Sequence, residues 1–421
     1  MWATKKLHEV CDIQSGLWKG KKEPFTNALV LRNTNFTSSG RLDYSNVVEL
    51  EVETKQLMKR EVVKDDIILE KSGGGDKTPV GRVCIHNATS DVPFSLSNFT
   101  ARLRVKNRDL LDAHFLHRFL YFLYISGKTE PMQRHSTGIR NLQLSQYKNI
   151  DIPLPPLTEQ KRIVERLDKA FAEIDDLVSL GDAEEANGIS VMAAWLAEIF
   201  SQDIKGSRNV LSLSAGGAEA PAKKGWKWKR LTEVAKLESG HTPSRKKPEY
   251  WGGEVKWVGI RDARESHGSL IHDTLQYTNE LGIQNSSARI LPPNTVCLSR
   301  TASVGYVFRL GVPMATSQDF INWVCGDALD PAFLQLLFMA EGEDIRRFGS
   351  GATHKTIYFS TAKSFYICIP DVEDQKKIVA EYQSIVKHQK ALVASINQKN
   401  GLLKHLKASI LKQELTPSEL A

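Results

Sequence analysis

Cysteine is scarce and scattered. The five in this 421-residue chain (Cys11, Cys84, Cys297, Cys325 and Cys368) are odd in number, lie far apart and include no CxxC pair, which argues against a disulfide framework and a zinc ribbon. No apolar run approaches the ~20 residues of a membrane span, and Met1 to Lys5 leads straight into strand-like sequence without the core of a signal peptide. A reducing cytoplasm is the expected setting, with no membrane contact. Catalytic motifs are missing too. There is no GxGxxG between a strand and a helix, and no His pair at metal-ligand spacing on one helix face. Lys71-Ser-Gly-Gly-Gly-Asp-Lys-Thr78 looks like a phosphate loop, but the Walker pattern places Gly immediately before its Lys, where Asp76 stands. Pro155-Pro156 and Pro292-Pro293 lack the polar and aromatic neighbours with which an amino-methyltransferase holds its target amine. Asp371, Asp374 and Lys376 are the residue types of a nuclease site, yet they crowd a helix start, where acids are expected on dipole grounds. His267 and His272 lie in turn sequence without a Cys or acid partner and read as surface residues. Charge is not one-sided either: 56 Lys and Arg against 49 Asp and Glu leave a net +7, a modest lean toward a polyanion such as nucleic acid.

What is present is a repeat. Lys6, Leu7, Glu9, Val10, Ile13, Ser15 and Gly16 return as Arg230, Leu231, Glu233, Val234, Leu237, Ser239 and Gly240, an offset of 231 − 7 = 224. Leu69, Lys71, Val80, Gly81 and Val83 return as Leu298, Arg300, Val304, Gly305 and Val307. Leu111-Asp112 and Phe115-Leu116 return as Leu329-Asp330 and Phe333-Leu334. Gln160, Ile163 and Val164 become Gln375, Ile378 and Val379, an offset of 375 − 160 = 215. Two copies at so long a period make a duplicated module and not a solenoid. Each module reads as mixed: short apolar runs broken by Gly, Asn, Ser and Pro predict strands, and Leu110 to Ser126 predicts a helix with its aromatics in the core.

After the Pro153-Leu-Pro-Pro-Leu157 exit, with Thr158 as the expected cap, the pattern changes to a coiled-coil seam of Ile163, Leu167, Ala170, Ile174 and Leu177. Gly181 and Gly188 are expected to weaken this helix before a second apolar stretch, Val191 to Phe200. The C-terminal seam runs Ile378, Tyr382, Ile385, Gln389, Leu392, Ile396, Lys399, Leu403, Leu406 and Ile410. Residues 157–186 carry nine acids against four bases, and residues 371–414 carry eight lysines against five acids, so the two helices are expected to lie along one another. A helix of about 40 residues spans about 60 Å. The expected boundaries are a first module at 1–154, a helical region at 155–204, a linker at 205–225, a second module at 226–370 and a helix at 371–421.

With these features in place, the chain resembles the specificity subunit of type I restriction-modification systems. Trp228 to Pro243 (WKRLTEVAKLESGHTP) looks like the opening of a target-recognition domain, and Ile152 to Val164 (IPLPPLTEQKRIV) like the proline exit and helix that close one. The second exit departs from the pattern, with Ile369-Pro370-Asp371-Val372 where Pro-Leu-Pro-Pro is common. The resemblance covers nearly the whole chain. It implies an α+β fold: two similar mixed α/β target-recognition domains joined by two long antiparallel coiled-coil helices, a pseudo-two-fold internal repeat. It also implies a protein with no chemistry of its own. Each domain reads one half of a split, asymmetric site on double-stranded DNA, and the helices set the gap and dock two methyltransferase subunits. S-adenosylmethionine, ATP and Mg are expected in those and in the restriction/translocase subunits, with no cofactor or metal on this chain.

Candidate DNA-binding residues are polar and basic side chains on loops, since guanidinium and amide groups match base edges while lysines mostly hold phosphates. In the first module these are Arg32, Asn33, Lys71, Ser72, Lys77, Arg82, Ser136, Arg140 and Asn141; in the second, Arg261, Arg300, Thr301, Ser303, His354 and Lys355. Lys71 corresponds to Arg300, and Arg140 to Lys355 (355 − 140 = 215). A basic residue kept at matching positions suits a phosphate grip, because direct readers of unlike half-sites should differ. Three alternatives stay open: a specificity protein of a modification-only or other in-trans system, a coiled-coil scaffold that binds no DNA, and an enzyme in its own right.

Overall fold

The computed structural model describes residues 2–416 apart from 18–19, 21, 38–39, 76–77, 137–138, 203–209, 302 and 352–354. The chain divides into two compact units, Met1–Gly181 with Asn397–Ala421, and Asp182–Ile396. The division therefore falls inside both long helices, and each unit holds a recognition module plus part of each helix.

In the first unit a four-stranded antiparallel sheet runs in the order Cys11–Ser15, Thr100–Val105, Ile67–Glu70, Val83–Ile85. Ile67, Leu69 and Leu103 on one of its faces share a core with Phe115, Leu116, Phe119 and Leu120 of the helix Ala113–Ile125. A second sheet, Val48–Glu53, Phe25–Leu31, Phe94–Leu96, closes over Ile68 and Cys84 on the other. The alternation of Ile67, Ile68 and Leu69 between two cores is the period-two rule of a strand buried on both faces, and it explains an uninterrupted apolar run there. In the second unit the corresponding sheet runs Ala235–Ser239, Phe320–Cys325, Val296–Ser299, Val307–Leu310, extended by Leu270–Ile271. A Cβ at Gly16 would collide with the Ser97 carbonyl, and one at Gly240 with that of Ser317, so the same glycine is required in both units by the same close approach.

Each module is joined to its helix by a buried glutamine. Gln160 is 0% exposed; its Oε1 accepts from the Asp112 backbone N–H at 2.8 Å, and its Nε2 donates to the carbonyls of Pro155 at 2.8 Å and Leu110 at 3.0 Å. Gln375, also 0% exposed, accepts from Asp330 N–H at 2.8 Å and donates to Pro370 at 2.9 Å and Ala328 at 3.2 Å. Asp112 and Asp330 in turn cap the module helices, accepting from His114 and Phe115 N–H and from Ala332 and Phe333 N–H.

The long helices are Leu157–Phe200 and Val372–Leu415. The first begins at Leu157, so Thr158 sits inside its first turn instead of capping it. Neither glycine interrupts it. Gly188 is instead a contact point, because a Cβ there would run into the side chain of Gln389, whose Nε2 donates to Glu185 O at 3.4 Å. Within the first unit the paired segments bury Ile163, Leu167, Phe171 and Ile174 with Leu403, Leu411 and Leu415. Lys407 Nζ donates to Asp175 at 3.1 Å and lies over the Phe171 ring at 4.3 Å, and Arg166 pairs with Glu414. Within the second unit Trp195 donates to Glu381 at 3.1 Å and packs on Tyr382, with Leu196, Val379 and Phe200 in the same core. Both sets of contacts are antiparallel. Ile396 is buried and Ile378, Ile385, Leu392 and Ile410 half-buried, in line with the seam expected for the second helix.

Two expected seam positions are corrected. Leu177 is 40% and Leu406 48% exposed. The buried stripe steps by four through 163, 167 and 171 before reaching 174 on one helix, and runs through 403, the half-buried 407, 411 and 415 on the other. The aromatic Phe171 takes the place expected for Ala170, and a step of four swings the face away from a 3.5-residue repeat. The stretch 205–225 is also more than a linker: Leu213–Ala215 pairs antiparallel with Phe365–Ile369, whose other edge takes Lys227–Arg230, because Leu213 is buried in the second unit's core.

Replacing Gln160 by Ala strands one donor and two acceptors, and is expected to destabilise the first unit by about 3 kcal/mol in chemical denaturation; Gln375→Ala should cost the second unit a similar amount. A pH dependence follows from His117, 3% exposed, whose Nε2 contacts Val83 O at 3.3 Å and whose pKa burial pushes down to about 3. The unfolded imidazole titrates near 6.5, so this group's stability contribution is present above that pH and is lost as pH falls toward the folded value. Between pH 7 and 5 the first unit should lose about 2 kcal/mol more than a His117→Gln variant, read from urea titrations at each pH.

Candidate nucleic-acid interface

In the first unit a third sheet, ordered Gln133–Ser136, Ile139–Leu142, Ser72–Gly74, brings together four of the first module's nine sequence candidates, Ser72, Ser136, Arg140 and Asn141. Arg140 pairs in register with Gly74 and His135, and Asn141 with Ser72 and Arg134. Ser72 Oγ donates to Asn141 Oδ1 at 2.5 Å. Lys71 leads into the sheet, its backbone N–H bonded to Phe99 O and its carbonyl to Leu142 N–H; half-burial holds its ammonium pKa below the usual value. Asn33 lies against Gly73, whose φ of +103° suits glycine alone. Arg32 opens the short 3₁₀ turn Asn33–Asn35, bonding Asn46 O from Nη2 at 3.3 Å. Ser136 lies in the outer strand, and Lys77 lies outside the described residues.

Arg82 does not join this group as a ligand-facing cation. Its Nε and Nη2 grip the Glu70 carboxylate at 2.8 and 2.7 Å, its Nη groups reach Asn33 O and Phe36 O, and it stacks over Phe36. Glu70 is 3% exposed, so the arginine neutralises a buried carboxylate, and that bond raises its own pKa.

The second unit rebuilds part of the same face with other side chains. Arg300 stands where Lys71 does, and Ile357 N–H bonds its carbonyl at 2.9 Å as Leu142 N–H bonds that of Lys71. Its guanidinium reaches Gln318 O at 2.9 Å and Ile357 O at 3.4 Å and stacks over Phe359, while half-burial lowers its pKa. Thr301 Oγ1 donates to Asp319 at 2.6 Å, and Ser303 O accepts from Ser299 Oγ at 2.5 Å. Lys355 is exposed beside the Ser350–Thr356 bridge, Arg261 is exposed on the helix Ile260–Glu265, and His354 lies outside the described residues. Asp371 and Asp374, by contrast, serve the helix start: Asp371 accepts from Asp374 N–H at 3.0 Å.

Three further residues belong with these faces. Arg134 is exposed opposite Asn141, Phe99 is 44% exposed beside Gly73, and Arg245 is exposed with its guanidinium on two tryptophans. The signal for Arg134 was its place in a short run, QRHS, that pairs with IRNL; for Phe99 and Arg245 no local signal existed.

A family model for the type I restriction modification DNA specificity domain matches residues 1–179 and again 223–400, the two copies of the repeat. The chain belongs to that family. Among curated relatives, the type I restriction enzyme MjaIX specificity subunit of Methanocaldococcus jannaschii is 27% identical over 45% of this chain and 43% of its own length. The type I restriction enzyme EcoKI specificity subunit of Escherichia coli is 31% identical over 35% of this chain and 30% of its own length, so the chain spans less than half of either relative. A solved chain from a study of complex assembly and conformational transition in the type I R-M system superimposes with a TM-score of 0.72 at 20% identity, covering 98% of this chain and 97% of that one. The HsdS subunit from Thermoanaerobacter tengcongensis gives 0.55, also at 20% identity, over 98% and 96%. At that identity the likeness is one of fold: two mixed α/β domains and two long antiparallel helices. Among the described residues no helix is long and apolar enough to cross a membrane.

Removing Arg82 should act on folding. Arg82→Ala leaves Glu70 buried without its cation and is expected to cost roughly 3 kcal/mol in thermal or urea unfolding. Arg82→Met paired with Glu70→Leu should recover most of that loss, an outcome that a DNA-contacting role for Arg82 does not predict.

Proposed function

We propose that this chain is the DNA sequence-specificity subunit of a type I restriction-modification complex, each unit reading one half of a bipartite, asymmetric site. One observation carries the reading. The two units repeat a single scaffold down to the glutamine joint and the Gly16 and Gly240 contacts, yet beside the basic residue kept in both, Lys71 and Arg300, the polar groups differ: Ser72 and Asn141 on one face, Thr301 and Asp319 on the other. A common scaffold with unlike surface chemistry is what reading two unlike half-sites demands, and a mere scaffold protein gives no reason for it.

In this reading the chain performs no chemistry. The long helices dock two methyltransferase subunits and fix the unread gap, since half-sites on one face of a duplex are separated by about 34 Å or a multiple of it. S-adenosylmethionine, ATP and Mg are held by the methyltransferase and restriction/translocase subunits, and the whole works in the cytoplasm. Residues kept basic in both units hold phosphate, and those that differ select bases.

The direct test maps adenine methylation across the host genome with the gene intact and deleted. A split motif that vanishes on deletion is expected; an unchanged methylome would count against the proposal. Arg140→Ala and Lys355→Ala should each weaken binding of the assembled methyltransferase equally on cognate and unrelated DNA. Each should lower the slope of log affinity against log salt by about one. A loss confined to cognate DNA would reassign that residue to base reading.

A further inference from the structure

An exposed arginine of the second unit is held in place by aromatic rings and an amide, without an acid partner among the described residues. Arg245 is exposed between the strands Ala235–Ser239 and Trp251–Val258. Its guanidinium lies 3.8 Å from the centroid of Trp251 and 4.8 Å from that of Trp257, and the two indoles meet edge to face at 5.2 Å. Both rings are fixed from behind, Trp251 Nε1 donating to Ser244 O at 3.3 Å and Trp257 Nε1 to His241 O at 3.1 Å. Arg245 Nη2 donates to Gln276 Oε1 at 2.7 Å. Among the described residues no carboxylate pairs with Arg245, whereas Arg82, Arg102, Arg104 and Arg118 each face an acid.

The segment is tied to the face already described. Thr242 Oγ1 donates to Gln318 Oε1, and the Gln318 carbonyl takes Arg300 Nε at 2.9 Å. At the position of Trp257 the first unit carries a different residue. Trp257 pairs with Ala315 where Val30 pairs with Ser95, as the shared glycine contacts to Ser317 and Ser97 align them, so a buried valine stands in the tryptophan's place. An arginine whose rotamer is already fixed loses little freedom on binding, and its planar fork matches the O6 and N7 acceptors of guanine with two parallel hydrogen bonds. A rigid planar fork held on two indoles suits the reading of a base edge better than a phosphate grip, which a point charge serves as well.

We propose that Arg245, clamped by Trp251, Trp257 and Gln276, is a base-reading residue of the second unit that takes the major-groove edge of a guanine. This rests on the specificity function proposed above. The test incubates the complete methyltransferase complex with a pool of duplexes of randomised sequence and sequences the bound fraction, for the unmodified chain, Arg245→Lys and Arg245→Ala. Lysine keeps the charge but not the fork. Arg245→Lys should therefore retain the first half-site and lose selection of one G·C pair in the second by roughly 10- to 100-fold, with binding to unselected DNA changed by less than about two-fold. If Arg245→Lys selects the same bases as the unmodified chain, and Arg245→Ala only weakens binding evenly with a shallower salt dependence, Arg245 is a phosphate contact and the proposal is overturned. If both variants melt normally but bind no DNA, a role in assembly replaces it. Should the unmodified complex itself enrich no motif, the specificity reading fails and takes this inference with it, an outcome distinct from unaltered selection by the variants.

Discussion

The fold depends on a side-chain amide that satisfies three backbone groups at once where a globular module hands over to a rod. Proline exits leave carbonyls that no helix can use, and the start of a module helix leaves a backbone N–H that no helix can accept. Gln160 and Gln375 answer both needs from the first turn of the long helix. Glutamate would arrive as an acceptor only, and asparagine would be one methylene short, so the amide's mixed donor and acceptor character is the chemical requirement. Because Asp112 and Asp330 sit at the same junctions as helix caps, the direction of each module helix is fixed by the bond that fixes the rod.

Given that joint, the helix pairing is mainly a matter of apolar stripes with a few polar pins. The opposite charge balance of the two helices survives in the Asp175–Lys407 pair, but Arg166–Glu414 runs the other way, so net charge biases the pairing without dictating it. The close approach of Gly188 and Gln389 does more for register, since a contact at that distance accepts no neighbouring alignment.

The duplication was legible because backbone geometry preserves its own residues: Gly16 and Gly240, and Gln160 and Gln375, sit where few other side chains fit, and Asp112 and Asp330 where a short side-chain acceptor is needed. The buried face of the long helices was less legible, since Leu177 and Leu406 fit a 3.5-residue spacing as well as Phe171 and Leu411 fit a step of four, and only packing decides between them. Surface roles were the least legible. Arg82 reads as a loop cation until strand pairing brings Glu70, twelve positions away, against it. Arg245 reads as one of several basic residues before a proline until sheet register sets two indoles beneath it. In each case the deciding neighbours lie six to twelve positions away and are set in place only by the folded backbone.

The core of the first unit contains Leu411 and Leu415, and Ile163, Leu167 and Phe171 pack on them. A chain made from its N-terminus folds its domains as they emerge. Here the earliest module keeps an apolar flank bare through the synthesis of some 200 further residues, so the unit translated first is the one completed last. Loss of the last two turns of the helix Val372–Leu415 would thus be felt in a module that precedes it by more than 200 residues, and a chaperone or an early-binding partner has its longest window on that module.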